Sequence, residues 1–153
     1  MSVQSAVKPS LTIKRRLKVP PAKVFAAWTD AEKIKRWMGP GGFTVPQAES
    51  DARVGGRYRI VMHRPDGSEV VAGGEFQVLD EPSRIAFTWK WEHGQDTTLV
   101  TIFLRDVGGK TEMHFRHEGF TSEEDRNNHN RGWTGSFDRL DEHLKRNPKP
   151  PKP

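Results

Sequence analysis

The stretch from Gly132 to Leu144 restricts the fold more than any other part of the chain. Trp133, Phe137, Leu140 and Leu144 are spaced by four, three and four residues, so they share one face of an α-helix, while the Asp, Glu, Arg and Lys of the segment fall on the other. A helix with one apolar stripe needs a second layer to bury that stripe. What precedes it alternates as strands do, so the pattern predicts one amphipathic terminal helix laid across a sheet. Gly132 reads as the residue that lets this helix and Trp133 sit close to the sheet.

The sheet is legible from a change of period. From Phe43 onward, Tyr58, Ile60 and Met62 alternate with Arg57, Arg59 and Val61; Phe76 and Val78 with Glu75 and Gln77; and Ile85, Phe87, Trp89 and Trp91 with Arg84, Thr88 and Lys90. Val100, Ile102 and Leu104, then Met113, Phe115 and His117, continue the pattern. The connections at Pro65-Asp66-Gly67-Ser68, Asp80-Glu81-Pro82-Ser83, His93-Gly94-Gln95-Asp96 and Val107-Gly108-Gly109-Lys110 are hairpin-sized and too short for parallel crossovers. An antiparallel meander of about six or seven strands follows. Before it, Leu11 to Val19 reads as a first strand and Pro21 as the opening of a short helix carrying Val24, Phe25 and Trp28. A second short helix carries Ile34, Trp37 and Met38, with Thr29-Asp30-Ala31-Glu32 as a capping box in which Thr29 is the cap. Thr121-Ser122-Glu123-Glu124 has the same spacing ahead of the terminal helix. The weak helix formers Asn127 to Asn130 predict that this helix kinks, or begins near Arg131.

Composition bounds the rest. At 153 residues, with 33% hydrophobic and 29% charged side chains, the chain is the size of one domain with its own core. It has no cysteine, which excludes disulfides and thiolate metal sites and suits a cytoplasmic setting. No apolar run approaches the roughly 18 residues of a membrane span, and residues 1–9 have no signal-peptide core, so neither membrane nor export is expected. The net charge of +5 belongs mostly to the tail. Taking Lys145, Arg146, Lys149 and Lys152 from the 25 basic residues leaves 21 against 20 acidic ones. The body is nearly neutral, and nucleic acid is not an expected partner. Residues 147–153, rich in proline and lysine, read as an extended mobile tail, and residues 1–9 as a flexible lead-in.

The order of strand, two small helices, meander and long terminal helix is similar to the helix-grip fold of the START-like (SRPBCC, Bet v-like) superfamily, an α+β fold with a curved antiparallel sheet. Val24-Phe25-Ala26-Ala27-Trp28-Thr29-Asp30, Trp37-Met38-Gly39-Pro40, Val54-Gly55-Gly56-Arg57-Tyr58, Pro65-Asp66-Gly67, Ile85-Ala86-Phe87-Thr88-Trp89 and Gly132-Trp133 with Asp138-Arg139-Leu140 narrow it further. Together they resemble the family related to the C-terminal domain of the activator of heat shock protein 90 ATPase. The resemblance runs from about Leu11 to Leu144, within a START-like domain of residues 10–146. It implies a cavity between helix and sheet, walled here by Trp37, Tyr58, Ile60, Met62, Phe76, Phe87, Trp89, Ile102, Phe115 and His117, with Trp133 and Phe137 from the helix. Aromatic walls suit a flat apolar small molecule; the same stripe also suits a plain core.

Little in the sequence speaks for catalysis. Gly55-Gly56 is followed by neither a Gly-Lys-Ser/Thr run nor a helix, so it reads as a bulge or close backbone approach, and no nucleotide or other cofactor is expected. His114 and His117 are three apart on a strand and face opposite ways, so they cannot share an ion, and the other four histidines lack ligand spacing; no metal is expected. His117 shares the inner face with Phe115, where the simplest reading gives it a backbone or hydroxyl partner at the rim. Tyr58, Arg64 and Asp80 are the other ionisable candidates near that face, and no nucleophile–base–acid order is legible. Binding of an apolar or aromatic small molecule is the leading function. The resemblance implies two alternatives: association with a chaperone or other protein, although the activator's separate N-terminal domain has no counterpart before Leu11, and a polyketide cyclase or aromatase-like activity. No feature of the sequence argues for an oligomeric state.

Overall fold

Alternating strands that must hide one apolar face, and one helix with a matching stripe, assemble as two layers. The computed structural model describes residues 8–146. The lead-in before residue 8 and the tail at 147–153 lie outside the described residues. The elements run β1 (Ser10–Leu17), α1 (Pro21–Thr29), α2 (Ala31–Trp37), β2 (Thr44–Ser50), β3 (Arg57–His63), β4 (Glu69–Asp80), β5 (Arg84–Trp91), β6 (Thr98–Val107), β7 (Lys110–Glu118) and α3 (Glu123–Arg146). Among the described residues the strands form one antiparallel sheet in the order β1-β7-β6-β5-β4-β3-β2. The meander is therefore continuous from β2 to β7, and β1 closes the far edge against β7. This is the helix-grip arrangement, with α3 gripped against the inner face.

The helices begin where the sequence allows, with two changes. Pro21 opens α1 as expected. Asp30, not Thr29, caps α2: its carboxylate accepts from the Glu32 N–H at 2.9 Å. Thr29 is still helical and donates its hydroxyl to the Phe25 carbonyl at 2.9 Å, so its oxygen is turned back into α1. The backbone N–H of Asp30 also closes α1 onto Ala26, and one residue serves both helices. Likewise Ser122, not Thr121, accepts from the Asp125 N–H at 3.1 Å ahead of α3.

α3 runs unbroken for 24 residues, including the Asn127–Asn130 stretch. Tertiary anchors override the weak local propensity there: Arg126 Nε donates to the Ser10 carbonyl at 2.8 Å, and His129 takes a hydrogen bond from Trp91. Acidic residues fill its first turn and basic ones its last, matching the helix dipole. Gly132 plays a different part from the one expected. A Cβ there would meet nothing within 4 Å, whereas a Cβ on Gly135 would lie 2.9 Å from Pro40 Cβ. Gly135 is the close approach.

Two features of the sheet follow from backbone sterics. Gly55 has a φ of +86°, and a Cβ on Gly56 would lie 2.1 Å from the Asp51 carbonyl oxygen, so this glycine pair makes the tight entry to β3. At Gln77 the β4–β5 register shifts by one, pairing Phe76 with Phe87 and then Val78 with Ala86. That bulge turns Leu79, instead of Val78, toward the core.

The core is aromatic at its centre. Trp28 of α1 lies 4.8 Å, ring centre to ring centre, from Trp37 and about 6 Å from Phe87, Phe115, Trp133 and Phe137. Trp133 and Phe137 from α3 pack on Phe115 of β7 at 4.8 and 5.0 Å. No helix of the described residues is long and apolar enough to cross a membrane.

Candidate functional site

At one end of α3 the two layers part. Trp89 and Trp91 of β5 share a face by strand parity, Met62 and Val70 flank them from β3 and β4, and residues 128–136 of α3 stand opposite. The loop from Met38 to Phe43 forms the third side. These residues enclose a cleft of about 360 Å³ whose lining includes Met38, Phe43, Met62, Trp89, Trp91 and Trp133, with Arg64, Asn128, His129, Arg131 and Ser136 as its polar members. That volume falls within the range typical of small-molecule sites.

The loop side is held from the helix. Arg139 Nη1 donates to three successive carbonyls, Met38, Gly39 and Pro40, at 3.2, 2.9 and 3.2 Å. Gly39 and Gly42 both have positive φ, which lets the loop turn sharply between α2 and β2. With Pro40 seated against Gly135, the mouth of the cleft is fixed to α3 at two points.

Behind the cleft, two histidines fix two tryptophans. Trp133 Nε1–H donates to His117 Nδ1 at 3.0 Å, so that nitrogen carries no proton and Nε2 does. Nε2 lies 2.6 Å from Thr98 Oγ1, whose own hydrogen goes to the Trp89 carbonyl at 3.1 Å. Every donor in this chain has an acceptor. His117 is fully buried, not at the rim, and burial first, then the neighbouring His129, lowers its pKa from 6.5 to about 3. The second pair repeats the device: Trp91 Nε1–H donates to His129 Nε2 at 2.9 Å, and His129 Nδ1 lies 2.9 Å from the Asp125 carbonyl it donates to. Phe120 packs on both imidazoles, 4.5 Å from His117 and 4.9 Å from His129. Both indole N–H groups are thus held by histidines, which leaves the cleft a wall of ring surfaces.

The twelve residues expected to wall a cavity divide three ways. Met62, Trp89 and Trp133 line the cleft. Tyr58, Ile60, Phe76 and Phe87, again with Trp89, surround a separate internal void of only about 10 Å³, about the space of one water. Trp28 and Trp89, whose indole N–H groups have no acceptor among the described residues, both border that void. Trp37, Ile102, Phe115, His117 and Phe137 border neither space and are packed solid. Trp37 donates its N–H to the Ala27 carbonyl at 2.9 Å. Among the other ionisable candidates, Tyr58 donates to the Thr88 carbonyl at 2.6 Å, and burial raises its pKa well above 10. Arg64 reaches the cleft rim and Asp80 does not.

Sequence reasoning overlooked Trp91, Phe43, Asn128, His129 and Arg131. Trp91 carried a signal, its shared parity with Trp89. His129 also carried one, lying four residues before Trp133 on one helical face, but the expected break near Arg131 removed it from that face.

Three solved structures place this architecture among known proteins. A protein of Chromobacterium violaceum is 26% identical, covering 86% of this chain and 94% of its own, with a TM-score of 0.81. The AHSA1 protein of Silicibacter pomeroyi is 26% identical over 90% and 98%, with a TM-score of 0.82. CalU16 of Micromonospora echinospora is 26% identical over 88% and 75%, with a TM-score of 0.70. Comparison with curated protein sequences gives no match. The profile of the activator of Hsp90 ATPase homolog 1-like proteins matches residues 18–145, so the chain belongs to that family.

Proposed function

We propose that the protein binds a small, flat, largely apolar molecule in the cleft between α3, β5 and the Met38–Phe43 loop. The observation that carries this reading is the wall of three tryptophans, two of them with their N–H groups held by His117 and His129. A ligand there exchanges water for ring surface, which favours association by roughly 25 cal/mol per Å² of apolar area removed from water. Pre-fixed rings also lower the ordering cost of binding.

The same lining favours binding over turnover. Its ionisable side chains are Arg64, His129 and Arg131, and both nitrogens of His129 are engaged. The lining hydroxyl of Ser136 donates to the Gly132 carbonyl at 2.9 Å and has no base beside it, so among the described residues the lining holds no activated nucleophile. Association with a chaperone ATPase, which the family name suggests, is the alternative outcome of the test. Native mass spectrometry of the purified protein is expected to show a co-purified small molecule, or a one-to-one adduct after adding 2-naphthol as probe. A ligand-free mass in both experiments, with indole resonances of Trp91 and Trp133 unmoved by 2-naphthol, overturns the cleft reading.

A further inference from the structure

The cleft is apolar, but its charges have one sign. Among the described residues no aspartate or glutamate lines it, while Arg64 and Arg131 do, the first just past the end of β3 and the second on α3. The two guanidinium groups therefore come from opposite walls. Seven other arginines are ion-paired with carboxylates within 4.0 Å: Arg15, Arg16, Arg53, Arg57, Arg59, Arg105 and Arg116. Arg64 and Arg131, like Arg36, Arg84, Arg126, Arg139 and Arg146, have no such partner among the described residues, and of these only Arg64 and Arg131 line the cleft. Each makes one side-chain hydrogen bond to a neutral group: Arg64 Nη1 to Ser68 Oγ at 3.2 Å, and Arg131 Nη2 to Asn128 Oδ1.

On the Arg64 side the acid Asp66 is reached only through the Ser68 hydroxyl. Asp66 Oδ1 accepts from the backbone N–H and the hydroxyl of Ser68 at 2.9 and 2.7 Å, and those bonds, more than Arg64, hold its pKa below the usual value. Across the cleft, Asp125 lies behind His129, with Oδ1 3.3 Å from Nδ1, and is not a lining residue.

Resting on the reading above, we infer that the ligand is amphipathic and anionic: a flat apolar body lying on Trp89, Trp91 and Trp133, with a carboxylate at the mouth between Arg64 and Arg131. The guanidinium fork matches a carboxylate in plane and spacing, and a hydrogen bond between ionised groups is about twice as strong as a neutral one. Because both arginines are exposed, the head group keeps part of its water and its pairing is screened by salt. The apolar body supplies affinity and the arginines supply the choice between acids and their neutral analogues.

The test is isothermal titration calorimetry of the intact protein with 2-naphthoate, 2-naphthalenemethanol and 2-naphthylmethylammonium, at low and at high salt. The expected result is tighter binding of 2-naphthoate than of the alcohol by about tenfold at low salt, with the cation weakest. The margin should shrink at high salt and close in the double variant Arg64→Gln/Arg131→Gln. Both positions are exposed, so the variant is expected to keep its urea midpoint. Equal affinities for acid and alcohol, or a preference for the acid that survives the double variant, overturn the carboxylate assignment and leave the cleft reading standing. Heats from none of the three probes overturn both.

Discussion

His117 ties the binding wall to the core, and its protonation makes that tie measurable. The ring has no exposed surface. Its Nδ1 faces the Trp133 N–H and its Nε2–H faces Thr98. A second proton on Nδ1 would set two donors against each other inside the core, in addition to burying a charge. With a pKa lowered from 6.5 to about 3, the folded protein resists protonation across a range in which the unfolded chain accepts it. The unfolded state thus binds more protons below pH 6.5, and stability rises with pH there. This residue's contribution is fully present above 6.5 and is lost as pH falls from 6.5 toward 3. The slope is about 1.4 kcal/mol per pH unit, which amounts to about 2.5 kcal/mol between about pH 7.5 and about pH 4.5.

The perturbation that isolates this contribution is His117→Gln, which keeps hydrogen-bonding capacity at the site and removes the titration. Urea unfolding followed by tryptophan fluorescence should show the wild type more stable than the variant at neutral pH. The difference should narrow by about 2.5 kcal/mol on going down to about pH 4.5. Every carboxylate common to both proteins cancels in the subtraction. A gap constant to within about 0.5 kcal/mol across that range refutes the assignment of His117 as a neutral, doubly satisfied histidine. So does a His117 ring resonance in the wild type that titrates near its ordinary value.

Two further outcomes follow from packing. Trp133→Ala should lower stability by about 3–5 kcal/mol, because it removes a buried aromatic from contact with Trp89, Phe115 and Phe137 and takes away the donor to His117; an unchanged urea midpoint would contradict the helix-on-sheet packing. Gly132→Ala and Gly135→Ala should differ in sign despite sitting one turn apart. The first adds a methyl in open space and should raise stability by about 0.5–1 kcal/mol. The second forces Pro40 away and should lower it by about 1–3 kcal/mol. Parallel melting curves for the two variants would refute the distinction.

Periodicity was enough for the layers because the large side chains of each strand and of α3 lie on one face, although Val61, Val71 and Ala86 are buried on the other face of the sheet. Tyr58, Phe87, Phe115 and Phe137 all went where two-residue or helical spacing sends them. Boundaries were harder. Thr29 and Asp30 are both competent caps, and only the direction of the Thr29 hydroxyl, turned back to Phe25, decides between them. The cleft was harder still, since spacing reports which face is inward and carries nothing about where two faces stop touching. Phe115 and Met62 obey the same rule, yet one is packed solid and the other lines the opening. Trp28, whose ring meets five other aromatics from α2, the sheet and α3, was absent from the expected walls because those were drawn mainly from the strands and α3, and α1 was read only as a short helix ahead of them.

Trp133 belongs both to the core and to the wall of the cleft, and the hydrogen bonds divide the two roles. Its N–H edge points inward to His117, which is held through Thr98 to the backbone of β5. The residue also lines the cleft. A tryptophan without that inward bond would keep its rotamer only by packing, and an open cleft removes packing from one side. The His117 bond replaces what is missing there, and His129 does the same for Trp91. A Trp133→Phe variant therefore separates the roles. It keeps a ring at the cleft but drops the bond, so binding of 2-naphthol should weaken more than the small loss of ring area accounts for. A probe affinity reduced only in proportion to ring area would mean that packing alone positions the wall.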